Sequence, residues 1–512
     1  MVRKKLKFVF IQPEFPKRYF SFFPIYEPLH GLLFGAIARD LADTVIFDRR
    51  FETDESLARL IRELKPDIVG ATTHVGAELF NVKRLFSIVK KIHPDALTIV
   101  GGQHSTLLPE DLFDDSVDLV CIGPGEETFR EVVETRISGG DYTNVSGLAV
   151  RQGDAYVITP QRVPKSRTII SWPRFDRSLV TRYKKHYYFR FEILRPTVYT
   201  ITSSGCPHRC KFCSLWAASG GVYRVRKPEE VVDDIISQPQ TYVHITDDNT
   251  FYNEENALEV YRLLKKTGVK KKILAYARAD TVVQKTHILE KWREIGLAAL
   301  VLGVEACSDE HLQYLNKKTS VDVNIHAHRI LESLGIENWA HFVIMPNFQK
   351  EDFERVWNFV DRLNMTYPLF IPLTPVPGTP LFFESKAKGN LSVFDYGFYN
   401  LQYMALKTTL PKREWYNYMK MLYHRSCSLG TLWRRRASPS FHWRPAVGRA
   451  IAMGSAPYRG EPHIKVQLEI ERTVRYEDIE PTLLPSFRKD YKLDKYYHAA
   501  TLACLKEEGI VL

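Results

Sequence analysis

The sequence contains no apolar run of the roughly 18 residues that a membrane-spanning helix needs, no internal repeat and no low-complexity tract. Its 45% of apolar residues, 28 prolines and 27 glycines are globular proportions, which exclude collagen, coiled coil and wholesale disorder. The basic residues at the start are followed only by the short apolar run Phe8–Ile11, which predicts a buried strand rather than a signal-peptide core. We therefore expect a cytoplasmic protein whose 512 residues form several domains.

Cysteines are also few, and seven is an odd number, so a framework of disulfides is not expected in a reducing compartment. Four of them stand alone in the sequence, at Cys121, Cys307, Cys427 and Cys504. The other three, Cys206, Cys210 and Cys213, fall within eight residues of one another. Such a cluster is typical of a metal or iron–sulfur site.

Acidic residues are almost missing from residues 401–450, although the whole chain carries a net charge of only +11. This window has ten Lys or Arg residues against the single acid Glu414, and it also holds Trp415, Trp433, Phe441 and Trp443. A basic segment with interleaved aromatic residues suits a solvated basic face, an anionic membrane surface or nucleic acid. Nucleic acid is the interpretation that we expect least. A peripheral contact with the inner face of the membrane through 401–450 is kept as a prediction.

Residues 1–140 alternate between short apolar runs and helical patterns, which predicts an α/β domain with a doubly wound, flavodoxin-like parallel sheet. The helical patterns follow the i, i+3, i+4 rule, as in Leu57, Leu60, Ile61 and Leu64. The five expected strands are Phe8–Ile11, Val45–Phe47, Ile68–Ala71, Leu97–Val100 and Leu119–Ile122.

Small or polar residues follow three of these strands, at the edge where such sheets bind ligands. They are Thr72-Thr73-His74, Gly101-Gly102-Gln103-His104 and Gly123-Pro124-Gly125-Glu126. Glycines there allow the backbone to approach a bulky ligand, although paired glycines are also common in tight turns.

Residues 141–192 look like a connector with a possible hairpin at Gly147–Val157. A second alternating series occupies 193–400 and predicts a partial (β/α)6 barrel, in which chemistry lies on the loops after the strands. Its expected strands are Val198–Thr202, Tyr242–Thr246, Ile273–Ala277, Ala299–Gly303, Ala340–Met345 and Leu369–Leu373. Residues 401–512 are predicted to form a mostly helical, basic region and a tail.

The three clustered cysteines follow the first of these barrel strands with the spacing C-x3-C-x2-C. Three thiolates on one tight loop can hold three irons of a [4Fe–4S] cluster. No fourth cysteine is near, so one iron would stay open to chelate a small molecule. A zinc site or chance clustering are the alternatives.

This motif resembles that of the radical S-adenosylmethionine (SAM) enzymes, C-x3-C-x-aromatic-C, with Phe212 in the aromatic place. The resemblance implies that SAM binds the open iron and that its reductive cleavage yields a 5′-deoxyadenosyl radical. It also implies SAM contacts for residues at successive strand ends: Asp247 and Asp248 for the amino group, Arg278 for the carboxylate and Glu305 for the ribose.

A doubly wound domain before such a barrel is similar to the cobalamin-binding class of radical SAM enzymes. The resemblance implies that the strand-end loops of the first domain cradle the corrin, with Thr72, Thr73, Gly101, Gly102, His104, Gly125 and Glu126 as contacts. The motif D-x-H-x-x-G, which supplies a cobalt-ligating histidine in other cobalamin proteins, is absent from residues 1–150. We therefore expect His74 and His104 to be polar lining groups.

Within this class the sequence is most similar to hopanoid C-3 methylases, through stretches such as Tyr223–Arg226, Asp247–Asn249 and Leu315–Ser320. Anaerobic magnesium-protoporphyrin ester cyclases are similar over the same span. The resemblance implies a cobalamin-dependent C-methyltransferase acting on an unactivated carbon of a hydrophobic, hopanoid-type lipid. It also implies a one-electron reductant of flavodoxin or ferredoxin type. No catalytic residue of the chain itself is predicted.

Three other functions remain as alternatives. The first is a cyclase or carbon–carbon bond-forming enzyme acting on a tetrapyrrole or membrane lipid with the same cofactors. The second is a non-catalytic binding or electron-transfer protein, against which the open iron argues. The third is a tRNA methylthiolation enzyme, but such enzymes carry further cluster cysteines near the N-terminus, and residues 1–120 contain none.

Overall fold

A computed structural model gives the arrangement of most of the chain. It describes residues 5–14, 25–74, 76, 78–163, 168–189, 195–443, 446–448, 450, 462–479 and 482–491. Cys504 and the arginines at 444 and 449 lie outside the described residues. Among the described helices, none has the length and apolar character that crossing a bilayer would require.

The first sheet has seven strands in the order β2-β1-β3-β4-β5-β6-β7. Their bounds are Leu6–Gln12 (β1), Ala42–Asp48 (β2), Ile68–Thr73 (β3), Leu97–Gly102 (β4), Leu119–Cys121 (β5), Leu148–Gln152 (β6) and Ala155–Ile158 (β7). The five predicted strands are confirmed, and they pair in parallel in the flavodoxin-like order 2-1-3-4-5. Every residue of β3 is buried, as expected for a parallel sheet covered on both faces.

The helices of this domain begin and end where the apolar patterns indicate. They are Leu29–Ile37 (α1), Asp54–Leu64 (α2), Glu78–Ile92 (α3), Gln103–Leu107 (α4) and Gly125–Ser138 (α5). In α2 the hydroxyl of Thr53 caps the first turn, and Leu57 and Ile61 turn into the core. Helix α3 ends two residues before Pro94, where a proline prevents continuation.

The predicted hairpin is confirmed, but it does not stand apart from the first domain. Strand β6 pairs antiparallel with β5, and β7 pairs with β6. The first sheet therefore continues beyond residue 140, where the sequence predicted a connector.

The second sheet is a curled half-barrel in the order β17-β16-β15-β14-β13-β10-β9. Its bounds are Tyr188–Phe189 (β9), Arg195–Thr200 (β10), Tyr242–Ile245 (β13), Lys272–Arg278 (β14), Leu297–Glu305 (β15), Glu337–Ile344 (β16) and Leu369–Pro372 (β17). The six predicted barrel strands are all present and parallel, and only the short edge strand β9 runs antiparallel. Because neighbours in the sheet are consecutive in the chain, the strand ends carry successive loops to one mouth.

Helices on the outer side connect these strands. They are Ser214–Ser219 (α6), Pro228–Ile236 (α7), Glu254–Lys266 (α8), Ala279–Gln284 (α9), Thr286–Glu294 (α10), Asp309–Tyr314 (α11), Val321–Ser333 (α12), Lys350–Arg362 (α13) and Pro380–Ala387 (α14). A small sheet of Ile169–Ile170 (β8), Ser203–Ser204 (β11) and Arg224–Arg226 (β12) lies beside the first loop of the barrel.

The predicted helical region after residue 400 begins later than expected, because residues 401–411 contain no helix. Beyond them lie Lys412–Ser426 (α15), Leu429–Arg435 (α16) and a helix over Pro462–Thr473. A late segment reaches back to the first domain. The backbone N–H of Ser486 donates to Asp111 Oδ1 at 3.0 Å and its hydroxyl to Asp111 Oδ2 at 2.6 Å.

A buried ion pair network joins the first domain to the barrel. Arg177 donates to Glu27 at 3.2 Å, to the carboxylate of Asp234 and to the carbonyl oxygen of Tyr199 at 2.6 Å. Glu27 also accepts the backbone N–H of Tyr199, at 3.1 Å. The segment before α1 is thereby held against the inner face of the barrel.

We predict that Arg177→Met lowers the free energy of unfolding by about 3–5 kcal/mol. It leaves the buried carboxylate of Glu27 without its cation and takes from Asp234 the nearer of its two arginines. Denaturant unfolding of the purified protein measures this. The matched control is Arg174→Met, which removes an exposed pair with Asp233 at 3.5 Å and should cost at most about 1 kcal/mol. Equal losses in the two variants would contradict a structural role for the network.

Candidate functional site

The cysteine loop lies between β11 and α6, and its conformation is fixed by a glycine. Gly205 has φ +85°, and a Cβ there would lie 2.0 Å from the carbonyl oxygen of Val222. Its N–H donates to Asp248 Oδ2 at 2.8 Å. The indole N–H of Trp216 donates to the carbonyl oxygen of Cys210 at 2.8 Å. The loop is therefore shaped by its neighbours before any ligand binds.

The three thiols of this loop lie close enough for their charges to interact. Cys206 and Cys210 are buried, and Cys213 keeps some accessible surface. Burial raises the pKa of Cys206 to about 11, with smaller contributions from Asp248 and Cys210. Burial and the neighbouring thiols Cys210 and Cys206 also raise the pKa of Cys213. Such thiols need a cationic partner to become thiolates, and iron supplies one.

The arrangement of the thiols bears on the choice between a cluster and a single metal ion. Among the described residues, no group of three His, Cys, Asp or Glu side chains is arranged to hold one metal ion. The charges of the three thiols nevertheless interact. We therefore favour the [4Fe–4S] interpretation over the zinc alternative.

Asp247 and Asp248 follow β13, but they differ in their contacts and in their exposure. Asp247 is buried and accepts bonds from the backbone N–H groups of Thr202 and Ser203 at 2.7 and 3.1 Å, and from the Thr202 hydroxyl. It shapes the start of the cysteine loop. Asp248 keeps accessible surface beside Cys206, and burial followed by the charge of Asp247 raises its pKa to about 7. Of the two, Asp248 is the group that a SAM amino group can reach.

Arg278 lies directly against the cysteine loop. Its Nη1 is 3.5 Å from Cys210 Sγ, and its other nitrogens donate to Asp280 and, at 2.7 Å, to the carbonyl oxygen of Lys317. The guanidinium is thus largely occupied by protein groups. It can stabilise a thiolate at Cys210, and a SAM carboxylate would have to share it.

Glu305 is also already paired. It is buried, and it accepts a bond from Lys317 Nζ at 2.7 Å. Its own φ is +62°, an unusual value that marks a sharp turn at the end of β15. A ribose hydroxyl at this position would therefore meet an ion pair rather than a lone carboxylate. Phe212 is partly buried and packs against the hydrophobic core next to the cysteines.

At the carboxyl edge of the first sheet, a glycine is again required. Gly102 has φ +116° and ψ −168°, and a Cβ there would lie 2.1 Å from the carbonyl oxygen of Thr73. Thr72 and Thr73 are buried, and the Thr73 hydroxyl donates to the carbonyl oxygen of Gly101 at 3.3 Å. Both glycines keep accessible surface, so they form the exposed part of this edge.

His104 does not line this edge as the sequence predicted. It is fully buried, Nδ1 accepts the N–H of Gly76 at 3.1 Å, and Nε2 lies 3.1 Å from Asp111 Oδ2. Because both ring nitrogens have protein partners, His104 positions the loop after β3 and has no ring nitrogen left for a ligand. Sequence patterns could not reveal this, because Asp111 and Gly76 come from other elements.

Gly125 and Glu126 begin helix α5 at the same edge, and both keep some accessible surface. A Cβ at Gly125 would lie 3.4 Å from the ring of Phe34, an ordinary contact. The charge of Glu126 contributes to the raised pKa of Cys121, after burial. These two residues stay predictions as corrin contacts.

The carboxyl ends of the strands in the first sheet lie next to the carboxyl ends of the barrel strands. Ser214, the residue after Cys213, donates its hydroxyl to Gln103 Oε1 at 3.1 Å, and Gln103 follows Gly102. The cysteine loop and the loop after β4 therefore lie side by side. Gln103 was not predicted as a functional residue, and no pattern within its own loop indicates a partner 111 residues away.

Three side chains near these edges, His30, Tyr26 and Tyr276, keep accessible surface deep in the protein. The imidazole of His30 is accessible, yet burial and the neighbouring His74 lower its pKa to about 4. An accessible side chain at such depth faces an interior space. Tyr276 of β14 and Tyr26 also keep partial accessibility there, and burial raises the pKa of Tyr26 to about 12. Tyr276 could have been found by its inward position in β14, but no periodicity indicates Tyr26 or His30.

We predict that Asp248 makes the apoprotein less stable at neutral than at mildly acidic pH. Its pKa is raised from 3.8 to about 7, so the folded state holds a proton that the unfolded state has lost between these values. Stability therefore falls as pH rises from about 4 to about 7. Asp248→Asn should gain on the order of 2 kcal/mol at about pH 8 in urea unfolding. The control Asp322→Asn, at an exposed site, should not change the pH profile.

Two family models match the chain at these positions. The B12 binding domain matches residues 26–133, and the Radical SAM superfamily matches residues 200–360. The chain is a cobalamin-binding radical SAM enzyme. Its cofactors are a [4Fe–4S] cluster, SAM and cobalamin. The assignment of Cys206, Cys210 and Cys213 to the cluster stays a prediction.

Several known proteins are similar to this radical SAM enzyme over most of its length. It is 26% identical to the "Hopanoid C-3 methylase" of Methylococcus capsulatus over 405 residues, 78% of this chain and 76% of the relative. It is 28% identical to the "Anaerobic magnesium-protoporphyrin IX monomethyl ester cyclase" of Cereibacter sphaeroides over 362 residues, 68% of this chain and 58% of the relative.

The fold is also that of a solved cobalamin-dependent radical enzyme. The SAM- and aqua-cobalamin-bound structure of OxsB superposes with a TM-score of 0.66 at 16% identity, over 84% of this chain and 68% of the other. This superposition confirms the predicted α/β fold, and the two family models confirm the predicted cofactors and the radical SAM enzyme class. The individual contacts to SAM and cobalamin stay predictions.

Proposed function

We propose that this enzyme transfers a methyl group to an unactivated carbon of a hydrophobic substrate, and that the substrate is a hopanoid-type lipid. The observation that carries the proposal is the contact between the two cofactor edges. The bond from Ser214 to Gln103 sets the cysteine loop next to Gly101 and Gly102. A carbon in the space between them would be within reach of both cofactors.

When bound, the cluster with SAM supplies hydrogen abstraction from carbon, and cobalamin supplies the methyl group. The chain itself holds and orients these groups. The three thiols would hold the cluster, and Arg278 would donate to the Cys210 sulfur. Asp248 would pair with the SAM amino group. The glycines after β4 leave room for the corrin, because neither bears a side chain.

The lining of the internal space supports an apolar substrate. Tyr26 and Tyr276 present aromatic rings, and their phenols stay protonated because burial raises both pKa values. His30, with a pKa of about 4, is neutral at physiological pH. Similarity to the hopanoid methylase names the lipid class, and the absence of fixed charge from these three groups agrees with it.

The test is anaerobic turnover of the reconstituted enzyme with a flavodoxin- or ferredoxin-type reductant. We expect equal amounts of 5′-deoxyadenosine and S-adenosylhomocysteine, together with a triterpenoid heavier by one methyl group. Omitting the lipid should suppress formation of the methylated product. Deoxyadenosine without S-adenosylhomocysteine would overturn methyl transfer.

Oxidative cyclisation of a tetrapyrrole is the second candidate, and the 28% identity to the magnesium-protoporphyrin ester cyclase favours it. Mass spectrometry of lipids and pigments from cells with and without the gene separates the two. A change confined to pigments would support the cyclase, and a missing methylated triterpenoid would support the methyltransferase.

A further inference from the structure

Large apolar side chains are exposed together at one end of the barrel. Leu429 is 80% exposed, Trp433 59% and Trp443 49%. Leu429 and Trp433 are one helical turn apart on α16, and the rings of Trp433 and Trp443 lie 6.5 Å apart. We call Leu429, Trp433, Arg436 and Trp443 the indole face. Single exposed apolar residues are ordinary, but a group that includes two indoles indicates an interaction surface.

The positive charge of this face is available to a partner. The guanidinium carbon of Arg436 lies 3.9 Å from the centre of the Trp433 ring. No carboxylate among the described residues forms an ion pair with it. Several other cations of the 401–450 segment are already paired: Lys412 is buried against Glu471, and Arg425 pairs with Glu354 at 2.6 Å. The basic segment is therefore a solvated or paired face over most of its length, and the indole face is the exception.

A cavity opens beside the indole face. Its volume is about 280 Å³, and Trp443 and His442 form one side. The amino ends of the barrel strands form the rest, with Leu274, Ala299 and Trp339 as apolar lining and Lys272 as a cation. The lining also includes the carboxylate of Glu337, whose Oε1 lies 3.8 Å from His442 Nε2. Arg293 adds another positive charge nearby, since Lys272 and Arg293 both lower the pKa of His442, after burial. An apolar hollow with cations at its rim fits an amphiphile with a negatively charged head.

The indole face is far from the chemistry. Strand β14 runs from Lys272 at the cavity to Arg278 at the cysteine loop. Seven residues of strand span roughly 20 Å at about 3.3 Å each. The exposed indoles therefore lie at the amino end of the barrel, opposite the mouth at which the cofactors meet.

We propose that the indole face docks on an anionic phospholipid bilayer. The two indoles would enter the interfacial layer, where their amphipathic rings are favoured. Arg436, Lys272 and Arg293 would approach the head groups, and the cavity would give space to apolar chain. The bilayer is the partner that we favour, because the cations of this face are complementary to anionic head groups and lie beside indoles that suit the interfacial layer. This proposal goes beyond the proposed function and does not depend on it.

The test is co-sedimentation of the full-length holoenzyme with vesicles, either of phosphatidylcholine alone or of phosphatidylcholine and phosphatidylglycerol in equal parts. We expect binding to the anionic vesicles that weakens as salt is added. Arg436→Gln and Lys272→Gln should each weaken it by about fivefold. Trp433→Ala with Trp443→Ala should abolish it.

Matched controls keep the result interpretable. Phe80→Ala removes another exposed aromatic ring, and Lys266→Gln another exposed cation, and both should leave binding unchanged. Cluster content and deoxyadenosine formation should be normal in every variant, which shows that folding is intact. Absence of binding to anionic vesicles, or equal binding by the double tryptophan variant, would overturn the proposal. So would binding of a monomeric anionic detergent without binding of vesicles.

Discussion

Replacing Cys210 with alanine should remove iron from the reconstituted enzyme and reduce deoxyadenosine formation to background. Cys210 is the middle one of the three thiols, and two remaining thiolates cannot hold three irons. Its sulfur is also the one that Arg278 approaches at 3.5 Å, so the variant leaves that cation without its sulfur partner. Iron and sulfide analysis, visible absorption and product quantification would each record the loss.

The control for this experiment is Cys427→Ala. Cys427 is buried to a similar degree, but it follows helix α15 and is not part of the cysteine loop. This variant should keep its full iron content and its activity. If Cys210→Ala retained a complete cluster, the assignment of the loop as the cluster site would be wrong, and the proposed enzymology would fail with it.

Gly102→Ala should prevent cobalamin retention and lower the free energy of unfolding by roughly 3 kcal/mol or more. The backbone of Gly102 occupies a region of φ and ψ that is essentially restricted to glycine, at a cost of about 1–3 kcal/mol for other residues. In addition, the new methyl group would collide with the Thr73 carbonyl oxygen of the neighbouring strand. The carboxyl edge of the first sheet would have to shift, and the loop beside the cysteines with it.

Cobalamin bound after gel filtration and denaturant unfolding of the apoprotein are the two measurements. Gly140→Ala is the control, because its Cβ would meet other atoms no closer than 3.4 Å and its φ is not in the left-handed region. It should change neither quantity. A Gly102→Ala protein with normal stability that binds cobalamin as wild type does would contradict the requirement for glycine.

The alternation of apolar runs and helical patterns was enough to predict the fold. All eleven expected strands occur, because a buried strand must be apolar whatever surrounds it. The cysteine loop could be predicted equally well from the sequence, since its three cysteines fall within eight consecutive residues. Both the strand patterns and the cysteine spacing involve residues close together in the chain, so a single sequence is enough to recognise them.

The roles of Arg278, Glu305 and His104 were not local. Each was predicted to contact a ligand from its place at a strand end, but each is paired with a residue from another element. Arg278 meets the Lys317 carbonyl, Glu305 meets the Lys317 ammonium, and His104 meets Asp111. The strand pattern predicts the backbone position of a residue. The side chain's contact partners depend on the tertiary packing of other elements, which the pattern does not contain.

The sequence predicted the hairpin after residue 140 but not its place in the first sheet, for a related reason. Its turn and its two short runs were visible, but the sequence does not show that β5 leaves an edge open for β6. Likewise, the basic segment could be recognised by composition alone. That its indoles lie at the amino end of the barrel follows from the packing of Trp443 beside the first residues of β14.

The bonds between Asp111 and Ser486 connect residues 375 positions apart. During synthesis, residues 5–158 have emerged long before Ser486 is added, and domains generally fold in the order in which they leave the ribosome. In the nascent first domain, Asp111 therefore lacks its Ser486 partner until translation is nearly complete. A truncated or paused chain would leave these bonds unmade beside the buried His104, which Asp111 also contacts.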